Sequence, residues 1–306
     1  MEVMKMKIMT GTCVPMITPM TESEAVDFDS LAGLTEYLVG CGCTALYPCG
    51  TTGEVMNLTL EERRKIIRTV VDAAHGRIPV FAQVGGLSTN DCAGLAMDAH
   101  AAGADGIGIL TPTYYPLGDE ELFDYYVRVA GSVPKDFPVY IYGIPGQAVN
   151  RLSAPLVEKI ADACENIIGI KYSVSDILTL MSFKRIRNNR FRVLVSPAQM
   201  LLPALAIGVD GIVSGNCNVF AEDINEMFRL FREKEIEKCR TLQGRLALLA
   251  EAMTNKEAAK CKALLCRRGI IKSDAMRSPQ RKLSESEKNE LFSAVDKIIV
   301  GEGEKV

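Results

Sequence analysis

Short apolar runs recur along the chain near residues 11–18, 44–48, 78–84, 106–111, 138–142, 167–171, 191–195 and 211–214. Most are followed by a segment whose apolar residues fall at three- and four-residue spacing, the mark of an amphipathic helix. Residues 30–39, 60–74, 90–102 and 119–129 are examples. In 60–74, Leu60, Ile66, Ile67, Val70 and Val71 form the apolar stripe, with Glu61, Glu62, Arg63 and Arg64 among them. Eight strand–helix units within about 225 residues predict an α/β fold, an eight-stranded (β/α)8 TIM barrel, which typically takes ~250 residues. The alternative is an open doubly wound sheet. No GxGxxG follows the first strand, which weakens a dinucleotide-binding version.

Beyond about residue 235 no strand-like run remains. Residues 242–253, 256–267 and 284–300 read as helices, with Gly269 and Pro279 as breakers. The expected organisation is a barrel carrying the active site over residues 1–234 and a helical extension packed on it over 235–306. No Ser- or Pro-rich linker separates the two.

Composition narrows the function classes. At 306 residues and 48% hydrophobic content the chain can bury a full core. A net charge of −3, with no basic block, gives no footprint for nucleic acid. The start MEVMKMKIMT lacks a continuous apolar core of signal-peptide length. No run approaches the ~18 apolar residues of a membrane span. A cytoplasmic protein without nucleic-acid or membrane partners is expected. The ten cysteines contain no CxxC pair, and the two histidines, His75 and His100, fall near helix ends. Neither set supports a metal site.

Function in such a barrel gathers where strands end. Pro48 with the loop GTTGE (50–54), Thr111, Tyr142, Lys171, Ser196 and Ser214 hold those places, and Lys171 is the only lysine among them. An amine at the end of a buried strand is desolvated, which favours the neutral form that attacks a carbonyl to form an imine. A rim lysine can equally snorkel to water. In GTTGE, Gly50 and Gly53 permit close backbone approach, and consecutive N–H groups with the Thr51 and Thr52 hydroxyls suit a small carboxylate; an ordinary tight turn has the same composition. Tyr142 offers a phenol for proton transfer or simply a core ring. Tyr114 and Tyr115, in TPTYYP, suit packing, an interface or catalysis. Cys49 adjoins the loop and raises the question of thiol sensitivity.

GTTGE, TPTYYP (111–116), YGIPG (142–146), IGIK (168–171) and GIVSGNCNV (211–219) occur in this order. Together they resemble the dihydrodipicolinate synthase / N-acetylneuraminate lyase family, which uses pyruvate through a lysine Schiff base. The resemblance implies that Lys171 forms the imine and Tyr142 is the acid/base beside it. Thr51 and Thr52 would hold the pyruvate carboxylate, with Gly50, Gln147, Ser196 and Val213 also in the substrate site. Tyr114 of a neighbouring subunit would complete a relay through Thr51, so a homodimer or homotetramer is implied, with no metal or organic cofactor. Two departures bear on the partner substrate. Dihydrodipicolinate synthases usually carry arginine where Gln147 stands, and sialic acid lyases carry an acidic pair where Ala198 and Gln199 stand. LYPCGTTGE (46–54) and TPTYYPLGDEEL (111–122) lean towards the sugar-acid lyases. The expectation is therefore a lyase or aldolase acting on a hydroxylated 2-oxo acid. The alternatives are condensation of pyruvate with aspartate semialdehyde, a dehydratase or deaminase using the same imine, and a non-catalytic carboxylate-binding barrel.

Overall fold

A computed structural model of the chain describes residues 6–300. The expectation about a targeting segment falls partly on residues 1–5, outside the described residues, as does the end of the extension at 301–306. Eight strands alternate with helices: β1 (Gly11–Pro15), α1 (Phe28–Gly40), β2 (Ala45–Tyr47), α2 (Leu60–Ala74), β3 (Phe81–Gln83), α3 (Thr89–Ala101), β4 (Gly106–Leu110), α4 (Asp119–Ala130), β5 (Val139–Gly143), α5 (Ala154–Ala163), β6 (Ile167–Tyr172), α6 (Ile177–Lys184), β7 (Arg192–Val195), α7 (Leu201–Ala206), β8 (Gly211–Val213) and α8 (Ala221–Arg232). All paired strands are parallel, in the order β2-β1-β8-β7-β6-β5-β4-β3. The two ends meet through a bridge of Leu46 with Val80, where the Leu46 amide donates to Pro79 O at 2.9 Å. The sheet therefore closes into the expected (β/α)8 barrel.

Alternation along each strand separates two cores. Outward residues such as Val14, Ile107, Ile109, Val139, Ile141 and Ile170 pack under the helices. Inward residues form a second cluster containing Cys13, Tyr47, Phe81, Leu110, Tyr140, Tyr142, Leu194 and Val213. Eight strands enclose space only for side chains, and the large rings fit because β4 turns glycines inward. A Cβ on Gly108 would lie 1.9 Å from Tyr47 Oη, and one on Gly106 would lie 2.4 Å from Phe81 Cε1. Tyr140 reaches the bottom of the barrel, where its hydroxyl accepts from the Met9 amide at 3.0 Å.

Caps define several helix starts. Asp27, Ser88 and Ser153 accept from the first-turn amides of α1, α3 and α5, and Thr59 with Glu62 forms a reciprocal capping box at α2. The extension holds α9 (Ile236–Met253), α10 (Glu257–Arg267) and α11 (Glu285–Val300). Its first helix begins six residues before the stripe at 242–253 suggests, since 236–241 are mostly polar and give little pattern. Leu246, Leu249, Leu264 and Leu265 share one buried cluster with Ile224 and Met227 of α8, so the core runs on from barrel to extension. No helix among the described residues is long and apolar enough to cross a membrane.

Arg277, between α10 and α11, ties the extension to the barrel. It donates to both carboxylate oxygens of Glu62 at 2.7 and 2.8 Å, to Glu24 O and to Asn57 O. The Arg277 contact, helped by the Thr59 amide and hydroxyl, holds the Glu62 carboxyl down to about 2 from its ordinary 4.5. A depressed carboxyl stabilises the fold fully above its unfolded value, and that contribution is lost as pH falls through the folded value. Between pH 4.5 and 2 the melting temperature of the wild type should therefore fall more steeply than that of Glu62→Gln, the two converging near pH 2. Parallel melting curves over this window would remove the link.

Candidate active site

The site is built on neighbouring strands. Tyr142 on β5 is the register partner of Lys171 on β6, so both side chains project into the barrel at the same level. Lys171 is 3% exposed, and its Nζ lies 3.9 Å from the Tyr142 ring centroid and 5.3 Å from that of Tyr47. Tyr142 Oη and Thr51 Oγ1 are 2.9 Å apart in a hydrogen bond that either can donate. Thr111, just after β4, secures the end of β5: its amide and hydroxyl both donate to Tyr142 O at 2.9 Å. Amine, phenol and threonine hydroxyl thus meet at the carboxyl ends of the strands, floored by apolar side chains.

The loop carrying Thr51 is fixed at both ends. At its start Cys49 adopts a left-handed φ of 60°, and its carbonyl accepts from Gln83 Nε2 at 3.2 Å. Within it Thr18 Oγ1 donates to Gly53 O at 2.8 Å, and a Cβ on Gly53 would lie 2.9 Å from Met16 O. At its end Glu54, also at φ 60°, forms an ion pair with Lys262 of α10 in which both side chains are fully buried. Lys262 donates further to Ala275 O at 2.8 Å, and the second Glu54 oxygen accepts from the Arg277 amide at 3.1 Å. Burial pulls the Lys262 ammonium down from its ordinary value, and Glu54 holds it up.

The TIM barrel, the paired tyrosine and lysine, and the helical extension invite comparison with known proteins. The model of the Dihydrodipicolinate synthetase family matches residues 8–298. The chain belongs to this family. A 4-hydroxy-tetrahydrodipicolinate synthase of Sorangium cellulosum is 33% identical over 294 residues, covering 95% of this chain and 96% of that protein. The crystal structure of dihydrodipicolinate synthase from Aquifex aeolicus superposes with a TM-score of 0.89 at 30% identity, covering 94% of this chain and 98% of the other. YagE, a prophage protein of E. coli K12 in the dihydrodipicolinic acid synthase family, solved in complex with pyruvate, gives a TM-score of 0.91 at 27% identity over 96% and 99%. Members of the family are class I pyruvate-dependent lyases, and this chain is an enzyme of that class.

Within this family fold the residues expected from the sequence are distributed unevenly. Lys171, Tyr142 and Thr51 come together, but β6 runs one residue beyond Lys171 to Tyr172, so the lysine sits inside the strand end rather than at it. Thr52 and Gln147 line a cavity of about 430 Å³ at the barrel mouth together with Thr51, while Gly50 is buried and its carbonyl closes the turn by accepting from the Gly53 and Val55 amides. Val213 is the last residue of β8 and belongs to the inner apolar cluster; Ser196 follows β7 and makes no side-chain hydrogen bond to Lys171, Tyr142 or Thr51. Tyr114 lies apart from the other three, 74% exposed, with its ring edge-on to Tyr115 at 5.0 Å. The idea of a thiol-sensitive Cys49 is corrected: the side chain is 1% exposed and burial pushes its thiol up to about 11, away from the reactive thiolate.

Sequence reasoning passed over Lys262, Glu257 and Tyr47. The first two carried a signal. Lys262 shares the apolar stripe of α10 with Ala259 and Leu265, and Glu257 lies one turn before Cys261 on the same stripe. A charge on such a stripe is buried or functional. Tyr47 gave none, since a tyrosine in an apolar strand reads as core.

Removing one partner of a buried ion pair leaves the other charge uncompensated, which costs about 3–5 kcal/mol. Lys262→Met should lower unfolding free energy in urea by that amount, and adding Glu54→Leu should recover part of the loss. Purely additive losses in the double variant would show that the two side chains are not coupled.

Proposed function

We propose that this enzyme forms an imine between Lys171 and pyruvate and joins the resulting unit to an aldehyde, or runs the cleavage in reverse. The observation that carries this is the buried Lys171 amine on the Tyr142 ring with Tyr142 hydrogen-bonded to Thr51. Pyruvate as the first substrate is further supported by YagE, solved in complex with it. Lys171 Nζ adds to C2 of pyruvate; Tyr142, replenished through Thr51, protonates the departing hydroxyl, which leaves as water. The iminium then gives up a C3 proton to become an enamine, whose C3 attacks the aldehyde carbon while the new alkoxide takes a proton. Hydrolysis of the imine frees the product and the amine. The iminium is the electron sink, so the proposal calls for no metal or organic cofactor.

The names of the Sorangium and Aquifex relatives, both synthases, favour the condensation of pyruvate with aspartate semialdehyde over the sugar-acid cleavage towards which the sequence leans. Gln147 favours the second reading, because it lacks the charge and the two-pronged fork of arginine for a substrate carboxylate. Borohydride reduction with pyruvate should place a covalent adduct on Lys171 and none on Lys171→Ala. Tyr142→Phe should retain slow trapping but lose turnover by about 10²–10³-fold. Coupled assays with aspartate semialdehyde in one direction and hydroxylated 2-oxo acids in the other decide between the readings. Absence of an adduct on the folded wild type would overturn the imine.

Exposed Tyr114 and Tyr115 line a groove of about 680 Å³ with Leu87 and Pro112. Both favour an assembly in which Tyr114 of one copy reaches the Thr51 of another, in a homodimer or homotetramer. Mixed and reassociated Lys171→Ala and Tyr114→Ala chains should then regain roughly a quarter of wild-type activity, from the one complete site in each hybrid pair. No recovery from co-assembled chains would confine Tyr114 to its own subunit.

A further inference from the structure

Glu257 is the first residue of α10, where a carboxylate would ordinarily be explained by the positive end of the helix. Its side chain does something else. A Cβ added to Gly215, two residues past β8, would lie 2.4 Å from Glu257 Cδ and 2.5 Å from one of its oxygens, so the carboxyl lies flat on that glycine at the barrel end. It lines the same 430 Å³ mouth cavity as Thr51, Thr52 and Gln147. Among the described residues no lysine or arginine forms an ion pair with it, although Lys256 and Arg281 line the same cavity; both of those pair with Glu287. Burial pushes its carboxyl up from its ordinary value, against the pull of the Lys171 charge and the Asn216 N–H. That second influence places Glu257 within electrostatic reach of the amine proposed to carry pyruvate. The amide oxygen of Asn216, 5% exposed and in the turn beside Gly215, is a further acceptor without a protein partner among the described residues.

A shielded acceptor left short of donors is costly unless a ligand donor satisfies it. The pyruvate carboxylate already has its donors in the proposed Thr51–Thr52 seat, and a second carboxylate beside Glu257 would be repelled. We propose that Glu257 selects the aldehyde partner, accepting a hydrogen bond from a hydroxyl or ammonium group on it and disfavouring a partner that presents only a carboxylate. This rests on the aldolase reading above and names the chemical class of its second substrate. Glu257 reads the partner; the bond-making groups remain those on β5 and β6.

Three aldehydes of similar size separate the possibilities: glyceraldehyde with hydroxyls, aspartate semialdehyde with an ammonium, and succinic semialdehyde with a carboxylate alone. The wild type should consume pyruvate with one or both of the first two at a kcat/KM at least ten times that for the third; which of the two is faster identifies the donor. Glu257→Gln should shrink that ratio about tenfold while the KM for pyruvate and the yield of borohydride-trapped Lys171 stay within twofold. Gly215→Ala, which takes the seat of the carboxyl without removing it, should shift the ratio the same way. A ratio unmoved in a folded, imine-forming Glu257→Gln enzyme would overturn the proposal. So would a wild type that prefers succinic semialdehyde, or that forms the imine yet condenses none of the three. Failure of the wild type to trap pyruvate at all would remove the aldolase reading itself, a result distinguishable from these.

Discussion

The buried Lys262–Glu54 pair is the constraint on which the site depends. Taking two charges out of water costs several kcal/mol each, and the pair persists only where geometry and extra hydrogen bonds satisfy what the partners leave open. Here the segment between α10 and α11 does so: Ala275 O takes a Lys262 proton, and the Arg277 amide fills the other Glu54 oxygen. Because Glu54 ends the loop that carries Thr51, the pair fixes that loop and the extension against one another. Glu54 holds a left-handed backbone, uncommon for a side chain of its size. The ion pair and the Arg277 amide are what hold it there. The hydroxyl facing Tyr142 is thus positioned by residues more than two hundred positions away in the chain.

A second constraint comes from the barrel interior. Its rings, Tyr47, Phe81, Tyr140 and Tyr142, exceed what eight strands with ordinary inward side chains hold, and glycines at 106 and 108 make the space. The consequence for chemistry is that the space below Lys171 is filled mainly by close-packed apolar side chains and rings. Water and polar substrate are confined to the strand ends, where Tyr142, Thr51 and the mouth residues face them. Parallel register does the rest: pairing Tyr142 with Lys171 across adjacent strands sets an amine beside a phenol without help from any loop.

This explains what was legible in the sequence. The barrel was readable because each strand, buried on both faces, is a nearly unbroken apolar run, and each helix a stripe; the boundaries moved only where polar residues begin a helix, as at 236, or where a strand continues past its functional residue, as at 172. Lys171, Tyr142 and Thr51 were readable because strand ends are sparse in polar groups, so each one there stands out. Lys262 and Glu257 were harder to read, since their roles depend on where α10 docks, a tertiary fact to which the local pattern gives only the hint of charges on an apolar stripe. Cys49 misled because adjacency in sequence carries no information about exposure. Tyr114 stands in the open on a single chain, so its proposed role rests on a second copy.

The origin of each group also orders the site by function. Lys171 and Tyr142, the bond-making residues of the proposed reaction, lie on adjacent strands, where register and packing allow little adjustment. The residues proposed to face the aldehyde come from elsewhere: Gln147 from the loop after β5, and Glu257 from a helix outside the barrel repeat. Loops and appended helices tolerate change that a packed strand does not. A fold divided this way can keep one imine chemistry and exchange partners by altering charges at the mouth. A neutral amide at 147 and an acid at 257 move that mouth away from gripping a carboxylate and towards accepting a proton donor. The same electrostatic reasoning links the two ends of α10. Lys262 is neutralised by an internal partner and serves structure, whereas Glu257, which forms no ion pair with a lysine or arginine among the described residues, is left facing the cavity where the proposed partner would enter.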